Sequence, residues 1–253
     1  MQLGAQLYTL RDYAKDLNGF SECLKRVADI GYQTVQVSGT CAYEAGWFKE
    51  QLTSNGLRCV LTHVPLSRIT DDTDQLVADH KFFGCHYIGL GSGPNGLAGE
   101  EDLKTMIDVA HTAGRRMQEL GCLLMYHNHH MEFCHGGDGK TRLQALADAT
   151  DADELGFTLD TYWVQYGGGD PAEWAERLSG RIPCVHFKDM TVVGGENRMA
   201  AVGAGNLNFE RILSSCESAG TEYILIEQDS CYGEDPFDCL KQSYGYLKAL
   251  GLR

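Results

Sequence analysis

Residues 155–188 read LGFTLDTYWVQYGGGDPAEWAERLSGRIPCVHFK, and this stretch decides the fold because the rest of the sequence repeats its pattern. Two short apolar runs, at 155–160 and 182–188, flank a segment that has the marks of a helix. Asp170 and Pro171 open that helix, in the positions that an N-cap residue and a first-turn proline prefer. Apolar runs without alternation suit parallel strands that are buried on both faces. The stretch therefore predicts one strand–helix–strand unit.

The same unit recurs along the chain at intervals of about thirty residues, the length of one strand plus its helix. Apolar runs typical of strands begin near Leu3, Gln33, Leu57, His86, Cys122, Leu155, Ile182 and Glu222. Helical periodicity that ends at a glycine predicts helices over Asn18–Ile30, Leu103–Leu120, Phe209–Ala219 and Phe237–Leu250. Eight such units in 253 residues predict a single (β/α)8 TIM barrel, one catalytic domain over residues 1–253.

A doubly wound α/β sheet is the main alternative fold. Such a sheet usually has a glycine-rich turn after its first strand. Here that position reads Gln6-Leu-Tyr-Thr-Leu-Arg11, without glycine, which favours the barrel.

The composition limits the class of protein. Hydrophobic residues make up 43% and charged residues 22%, which is typical of globular domains. A formal net charge of −14 disfavours a nucleic-acid partner, because such a partner requires a basic surface. The ten cysteines form no CxxC pair, and we interpret them as small buried apolar residues. No leader pattern and no apolar run of membrane-spanning length is present, so we expect a cytoplasmic protein without a membrane partner.

In a (β/α)8 barrel the active site lies at the C-terminal ends of the strands. The predicted strands end in mild polar residues in the first half of the chain and in histidines and acids in the second half. These positions are Gln6, Ser38, His63 and Gly91, followed by His127, His129, Glu132, Asp160, His186, Lys188 and Glu227.

Asp160, His186 and Glu227 end three successive strands. Adjacent strands lie about 4.8 Å apart, so these side chains can converge. Two carboxylates and an imidazole packed together repel one another unless they are protonated or neutralised, and a divalent cation removes that conflict. Glu132 is a candidate for a further acidic ligand. Taken singly, Asp160 also fits a helix cap and His186 a core histidine.

Several motifs together resemble those of the sugar phosphate isomerase/epimerase family of xylose isomerase-like barrels. They are Tyr126-His-Asn-His129, Leu159-Asp-Thr-Tyr-Trp163, Val185-His-Phe-Lys-Asp189, Gly203-Ala-Gly205 and Ile226-Glu-Gln-Asp229. The resemblance implies one divalent metal held by Glu, Asp, His and Glu from strands five to eight. We expect Mn²⁺, with Mg²⁺, Co²⁺ and Zn²⁺ as alternatives.

The last three ligands of that set carry over to Asp160, His186 and Glu227. The first does not, because this chain has Tyr126-His127-Asn128 where many members have a glutamate near the end of the fifth strand. Glu132 is our expected ligand from this strand, and His127 and His129 are the alternatives.

The resemblance implies a sugar or polyol isomerase or epimerase that moves a proton next to a carbonyl through a metal-stabilised enediolate. Glu227 and Glu132 are candidate bases, and His127 and His129 are placed to reach the substrate. We expect His63, Lys188, Gln6 and Trp163 to contact the substrate. Gly203-Ala-Gly205 is interpreted as the turn into the helix at Phe209, with Asn208 as its cap, and not as a phosphate loop.

Other functions remain as alternatives. A dehydratase or lyase on a keto sugar or inosose shares the deprotonation step, and a non-catalytic sugar-binding subunit on a retained barrel needs no reaction at all. A retaining glycosidase is disfavoured because the fourth strand ends in Leu90-Gly-Ser-Gly without a carboxylate. A zinc endonuclease for abasic DNA is disfavoured by the acidic charge. A homo-oligomer is possible, and the sequence does not decide it.

Overall fold

A computed structural model describes residues 1–252. Its ten strands form a closed eight-stranded barrel and a separate two-stranded hairpin. The strands are β1 Gln2–Gln6, β2 Thr34–Val37, β3 Arg58–His63, β4 Tyr87–Leu90, β5 Leu123–His127, β6 Gly156–Asp160, β7 Cys184–Phe187, β8 Asp189–Val193, β9 Glu196–Ala200 and β10 Tyr223–Ile226. The barrel runs from β1 to β7 in chain order and closes through β10, with all its pairs parallel. The prediction of a (β/α)8 barrel is confirmed, and each predicted strand is present.

The helices cover the outside of the barrel. They are α1 Leu17–Ile30, α2 Ala45–Ser54, α3 Leu66–Asp71, α4 Thr73–Phe83, α5 Glu100–Val109, α6 Arg115–Glu119, α7 Arg142–Asp148, α8 Thr161–Tyr166, α9 Pro171–Arg177, α10 Phe209–Ser218 and α11 Pro236–Ala249. Asp170 caps α9 by accepting from the N–H groups of Ala172 and Glu173, as the Asp-Pro pair predicts. Among the described residues, no helix has both the length and the apolar character needed to cross a membrane.

The predicted helix Leu103–Leu120 is divided. A π-helical turn over Ala110–Gly114 separates α5 from α6. Gly114 faces the backbone of the loop before β6, where a Cβ atom would lie 2.2 Å from the carbonyl oxygen of Glu154. His111 also reaches this loop, with Nδ1 2.9 Å from Glu154 Oε2. Close contact with this loop accompanies the local widening of the helix.

The hairpin of β8 and β9 was not predicted, and it follows directly after β7. Its first residue, Asp189, is fully buried, and its carboxylate accepts hydrogen bonds from four backbone N–H groups. The donors are Met190, Gly203, Gly205 and Leu207, at 2.7–3.1 Å. The glycine amides are therefore engaged by Asp189, and Asn208 caps α10, as expected for a turn into that helix.

One buried hydrogen-bonded histidine links β3 to α4. His80 is 4% exposed, its Nδ1–H donates to the carbonyl oxygen of Leu76 at 2.7 Å, and its Nε2 accepts from the Thr62 hydroxyl at 2.7 Å. Burial lowers the pKa of His80 to about 4. The neutral ring therefore belongs to the folded state, whereas the unfolded chain protonates this group below its ordinary pKa of 6.5.

This histidine predicts acid sensitivity of the fold. Because the pKa of His80 is lower in the folded state, its contribution to the free energy of unfolding is fully present above pH 6.5. That contribution is lost as the pH falls towards 4, since the unfolded state then binds a proton that the folded state does not. The free energy of unfolding, measured with urea, should fall between pH 7 and pH 5 by about 2 kcal/mol less in His80→Gln than in the wild-type protein. His86→Gln, at an exposed position, is the matched control. An unchanged pH dependence in His80→Gln would contradict this account.

Candidate metal centre and substrate pocket

Four buried side chains meet at the C-terminal ends of the barrel strands. The nitrogen or oxygen ligand atoms of His127, Asp160, His186 and Glu227 all lie within 4.8 Å of one another. The strand register explains the convergence, because Asp160 pairs with His186 across β6 and β7. Glu227 follows β10, and its N–H donates to the carbonyl oxygen of Phe187. We call these four side chains the cluster.

The hydrogen bonds of two imidazoles leave an unprotonated nitrogen facing the cluster. His127 Nδ1 lies 2.9 Å from the carbonyl oxygen of Gly91, which only accepts, so this nitrogen carries the proton. Nε2 of the neutral His127 ring then points a lone pair at Asp160 Oδ2, 3.1 Å away. His186 Nε2 lies 2.6 Å from Gln36 Oε1 and donates to it, and its buried Nδ1 faces the cluster, 2.9 Å from Glu227 Oε2. Partners on the outer nitrogens that orient the inner ones are typical of metal-binding histidines.

Asp160 divides its carboxylate between two tasks. Oδ1 accepts from the N–H of Trp163 at 2.9 Å and caps α8, while Oδ2 faces the cluster. Its own N–H donates to Asn128 Oδ1 at 3.0 Å, which ties the end of β6 to the end of β5. The helix cap and the proposed ligand are therefore compatible in one residue, because each uses a different oxygen.

An ammonium group also contacts the cluster. Lys188 follows β7, is 2% exposed, and places Nζ 3.1 Å from Asp160 Oδ2 and 2.8 Å from Glu227 Oε2. Its hydrogen bonds go to the two carboxylate oxygens of Asp229, at 3.0 and 3.1 Å. Burial, followed by the Glu227 carboxylate, raises the pKa of Asp229 to about 7, so at pH 7 the three carboxyl groups beside the ammonium carry between two and three negative charges. The site therefore still favours a further cation.

The ionisation of three of these groups matches what a metal ligand requires. Burial opposes the charged forms of Asp160 and Glu227, but the Lys188 ammonium and the neighbouring histidines together outweigh it and hold the pKa of both carboxyls below the usual range. Burial, reinforced by His186, lowers the pKa of His127 and keeps this ring neutral. For His186 burial acts in the same direction, but the Glu227 and Asp160 carboxylates together outweigh it and raise the pKa, so a metal ion would have to displace a proton from this ring. Two ionised carboxylates and two imidazoles fit Mn²⁺, Co²⁺ or Zn²⁺ better than the oxygen-seeking Mg²⁺.

Glu132, the ligand expected from the fifth strand, lies outside the cluster. Glu132 is fully buried, its Oε1 accepts from the Tyr126 hydroxyl at 2.7 Å, and its Oε2 accepts from the N–H of His129 at 2.9 Å. Both oxygens are therefore engaged with β5 and the turn that follows it. His127, the alternative ligand, takes the fourth place in the cluster. Glu132 lies in a short 3-10 turn, Met131–Phe133, whose direction the sequence did not reveal.

A pocket of about 440 Å³ opens onto the cluster. His63, His129, Lys188 and Trp163, four of the residues expected to reach a substrate, all line it. His63 Nε2 and His129 Nδ1 are buried and have no hydrogen-bond partner, so both remain available to a ligand. Gln6 differs from its predicted placement: it is fully buried and does not line the pocket, and its Oε1 accepts from the N–H of Tyr8 at 3.1 Å.

The sequence assigned no role to two charged residues of the pocket. Arg11 comes from the turn after β1, beside Tyr8, an aromatic residue that could wall a sugar, and Asp229 comes from the loop after β10. The Arg11 guanidinium donates to the carbonyl oxygens of Tyr8 at 2.9 Å and of Asp229 at 2.7 Å, so it joins the first and last loops of the barrel. Asp229 stands two residues after Glu227 in a motif already recognised, whereas nothing in the sequence marked Arg11.

Comparison with known proteins agrees with this geometry. The family model described as xylose isomerase-like TIM barrel matches residues 24–250. An inosose dehydratase of Geobacillus kaustophilus is 34% identical over 36% of this chain and 29% of its own length. An inosose dehydratase of Lacticaseibacillus casei is 28% identical over 54% of this chain and 50% of its own length. The chain thus spans half or less of the length of these two curated relatives.

Solved structures share the fold over nearly the whole chain. A sugar phosphate isomerase/epimerase from Parabacteroides distasonis superposes with a TM-score of 0.81 at 23% identity, covering 98% of this chain and 94% of the other. The IolI protein, solved with a bound zinc atom, superposes with a TM-score of 0.74 at 13% identity, covering 99% and 98%. Since the family match extends over most of the barrel, the chain belongs to the xylose isomerase-like TIM barrel family.

Proposed function

We propose that the protein is a divalent-metal-dependent enzyme that removes a proton next to the carbonyl of a keto polyol or keto sugar and then expels water. The cluster carries this proposal. Two imidazole nitrogens and two carboxylate oxygens are buried within 4.8 Å of one another, and they open onto a pocket of polyol size. When bound there, the metal would act as a Lewis acid towards the carbonyl oxygen of the substrate.

His129 is the base we propose for the deprotonation. Its ring lies on the pocket, with its centroid 4.7 Å from that of His127 and 5.4 Å from that of Trp163. Its buried Nδ1 has no hydrogen-bond partner and can accept a proton. Burial, followed by the influence of His127, lowers the pKa of His129 to about 3, which keeps the ring neutral at pH 7 but makes it a weak base, so the metal would have to acidify the carbon-bound proton of the substrate. The imidazolium formed in this step can then protonate the departing hydroxyl, which breaks the C–O bond and releases water as the double bond forms.

Elimination suits this site better than epimerisation. Epimerisation needs an acid and a base on opposite faces of the substrate carbon. Of the two glutamates expected as bases, Glu132 is engaged with Tyr126 and His129, and only Glu227 lines the pocket. One neutral histidine that takes a proton and returns it nearby is sufficient for loss of water. The relatives described as inosose dehydratases support the same reaction and an inosose as the first substrate to test.

The ligand set predicts how metal affinity responds to substitution. We expect the wild-type protein to bind one Zn²⁺ or Mn²⁺ ion in isothermal titration calorimetry, and His127→Ala to weaken that binding more than about tenfold, because a direct ligand is lost. Glu132→Gln is the matched comparison, since its carboxylate contacts only the Tyr126 hydroxyl and the His129 N–H, and it should bind within a few-fold of wild type. The reverse ranking of the two variants would assign the fourth ligand to Glu132.

The reaction itself is tested with an inosose in deuterated water. The metal-loaded protein should produce a product lighter by one water, detected by mass spectrometry, and the product should not form after chelation. His129→Gln should reduce kcat more than about a hundredfold because the base is lost, while metal affinity stays near wild type. His86→Gln, exposed before β4, should retain full activity.

The alternatives give different results in the same experiment. Deuterium incorporation at carbon without loss of water would replace the dehydratase proposal with the isomerase or epimerase reading. Binding of the polyol with neither exchange nor water loss would support the non-catalytic sugar-binding subunit.

A further inference from the structure

A second cavity adjoins the substrate pocket on the side of β2 and β3. Its volume is about 430 Å³, similar to the 440 Å³ of the pocket that opens onto the cluster. The two spaces share Ser38 and His63, which follow β2 and end β3 respectively. The two spaces therefore meet at these side chains. We call this second space the side chamber.

The walls of the side chamber differ chemically from those of the substrate pocket. Its apolar lining comes from β2, the loops after β2 and β3, and α4, and includes Val37, Tyr43, Val64, Pro65, Leu76 and Phe83. Val37, Leu76 and Phe83 are each less than 10% exposed, so they form a fixed apolar wall. The substrate pocket is instead lined by three histidines, a lysine, an arginine and two acids. Burial of an apolar group in the side chamber is favourable, whereas the hydroxyl groups of a ligand find hydrogen-bond partners in the substrate pocket.

His80 and Arg68, two polar side chains of the side chamber, already have partners within the protein, whereas His63, which both spaces share, has an unpartnered Nε2. Both ring nitrogens of His80 are hydrogen-bonded, one to Leu76 and one to Thr62. The Arg68 guanidinium pairs with Asp72 at 3.3 Å and with Asp79 at 3.4 Å. A charged or strongly polar occupant would have to break these contacts, so the chamber selects an uncharged one.

The sizes of the two spaces also indicate a substrate of two parts. Small-molecule pockets usually measure about 300–1,000 Å³, so the pocket at the cluster is large enough for one polyol ring on its own. The side chamber nearly doubles that space without adding free hydrogen-bonding groups. We propose that the natural substrate is a keto polyol carrying an uncharged, ring-sized apolar substituent, and that this substituent occupies the side chamber. This inference rests on the proposed function, because the polyol part must lie at the cluster.

The proposal predicts a binding advantage for aromatic derivatives. Phenyl and methyl β-glucosides, which differ only in the apolar group, are titrated calorimetrically into the metal-loaded protein. The phenyl compound should bind at least about tenfold more tightly, because its ring leaves water for an apolar wall. Ala45→Phe places a ring inside the side chamber and should reduce this advantage to less than about twofold. Ala152→Phe, at an exposed position before β6, is the matched control and should keep it.

Each other outcome overturns the proposal. Equal affinities of the two glucosides for the wild-type protein, no detectable binding of either, or an advantage that persists in Ala45→Phe would all exclude an apolar subsite. Metal affinity is measured for both variants to confirm that the barrel is intact. Failure of the proposed function would show separately, as an unsubstituted inosose that neither loses water nor exchanges its proton.

Discussion

The structure depends on an electrostatic conflict at the mouth of the barrel. The neutral His127 ring points its Nε2 lone pair at a carboxylate oxygen of Asp160 only 3.1 Å away, and the buried Nδ1 of His186 lies 2.9 Å from Glu227 Oε2. These atoms are buried, so solvent screens their interactions only weakly. A divalent cation is the simplest species that satisfies all four cluster atoms at once. Lys188 relieves part of the conflict, because its ammonium lies within 3.1 Å of an oxygen atom of each of the three nearby carboxyl groups.

The surrounding fold holds this conflict in place. The carbonyl oxygen of Gly91 accepts a hydrogen bond from His127 Nδ1, and the amide oxygen of Gln36 accepts one from His186 Nε2. Each bond fixes the direction of the other ring nitrogen, which faces the cluster. Asn128 binds the backbone of Asp160 and so keeps β5 and β6 together at their ends. These partners come from β2 and from the residues directly after β4 and β5, whereas the cluster side chains come from β5, β6, β7 and the residue after β10. The proposed chemistry needs this rigidity, because a base such as His129 acts only at hydrogen-bonding distance from its substrate.

Much of the fold could be predicted because the eight apolar runs are strong and evenly spaced signals. The ends of those runs also placed Asp160, His186 and Glu227 close together, because the C-terminal ends of adjacent parallel strands lie at the same end of the barrel. The position of Glu132 outside the cluster could not be predicted, because a single 3-10 turn decides its direction and no residue pattern encodes that turn. The hairpin after β7 was missed for a related reason: it is anchored by one buried acid, Asp189, and by backbone amides far along the chain. Arg11 acts through contacts across the closed barrel that only the three-dimensional structure shows.

The most direct test is anomalous diffraction from crystals grown with excess Zn²⁺ or Mn²⁺. The account predicts one strong peak about 2.0–2.3 Å from His127 Nε2, His186 Nδ1, Asp160 Oδ2 and Glu227 Oε2, with Glu132 still bonded to Tyr126. A peak coordinated by other residues, or no peak with Lys188 Nζ still in contact with both carboxylates, would contradict the central claim.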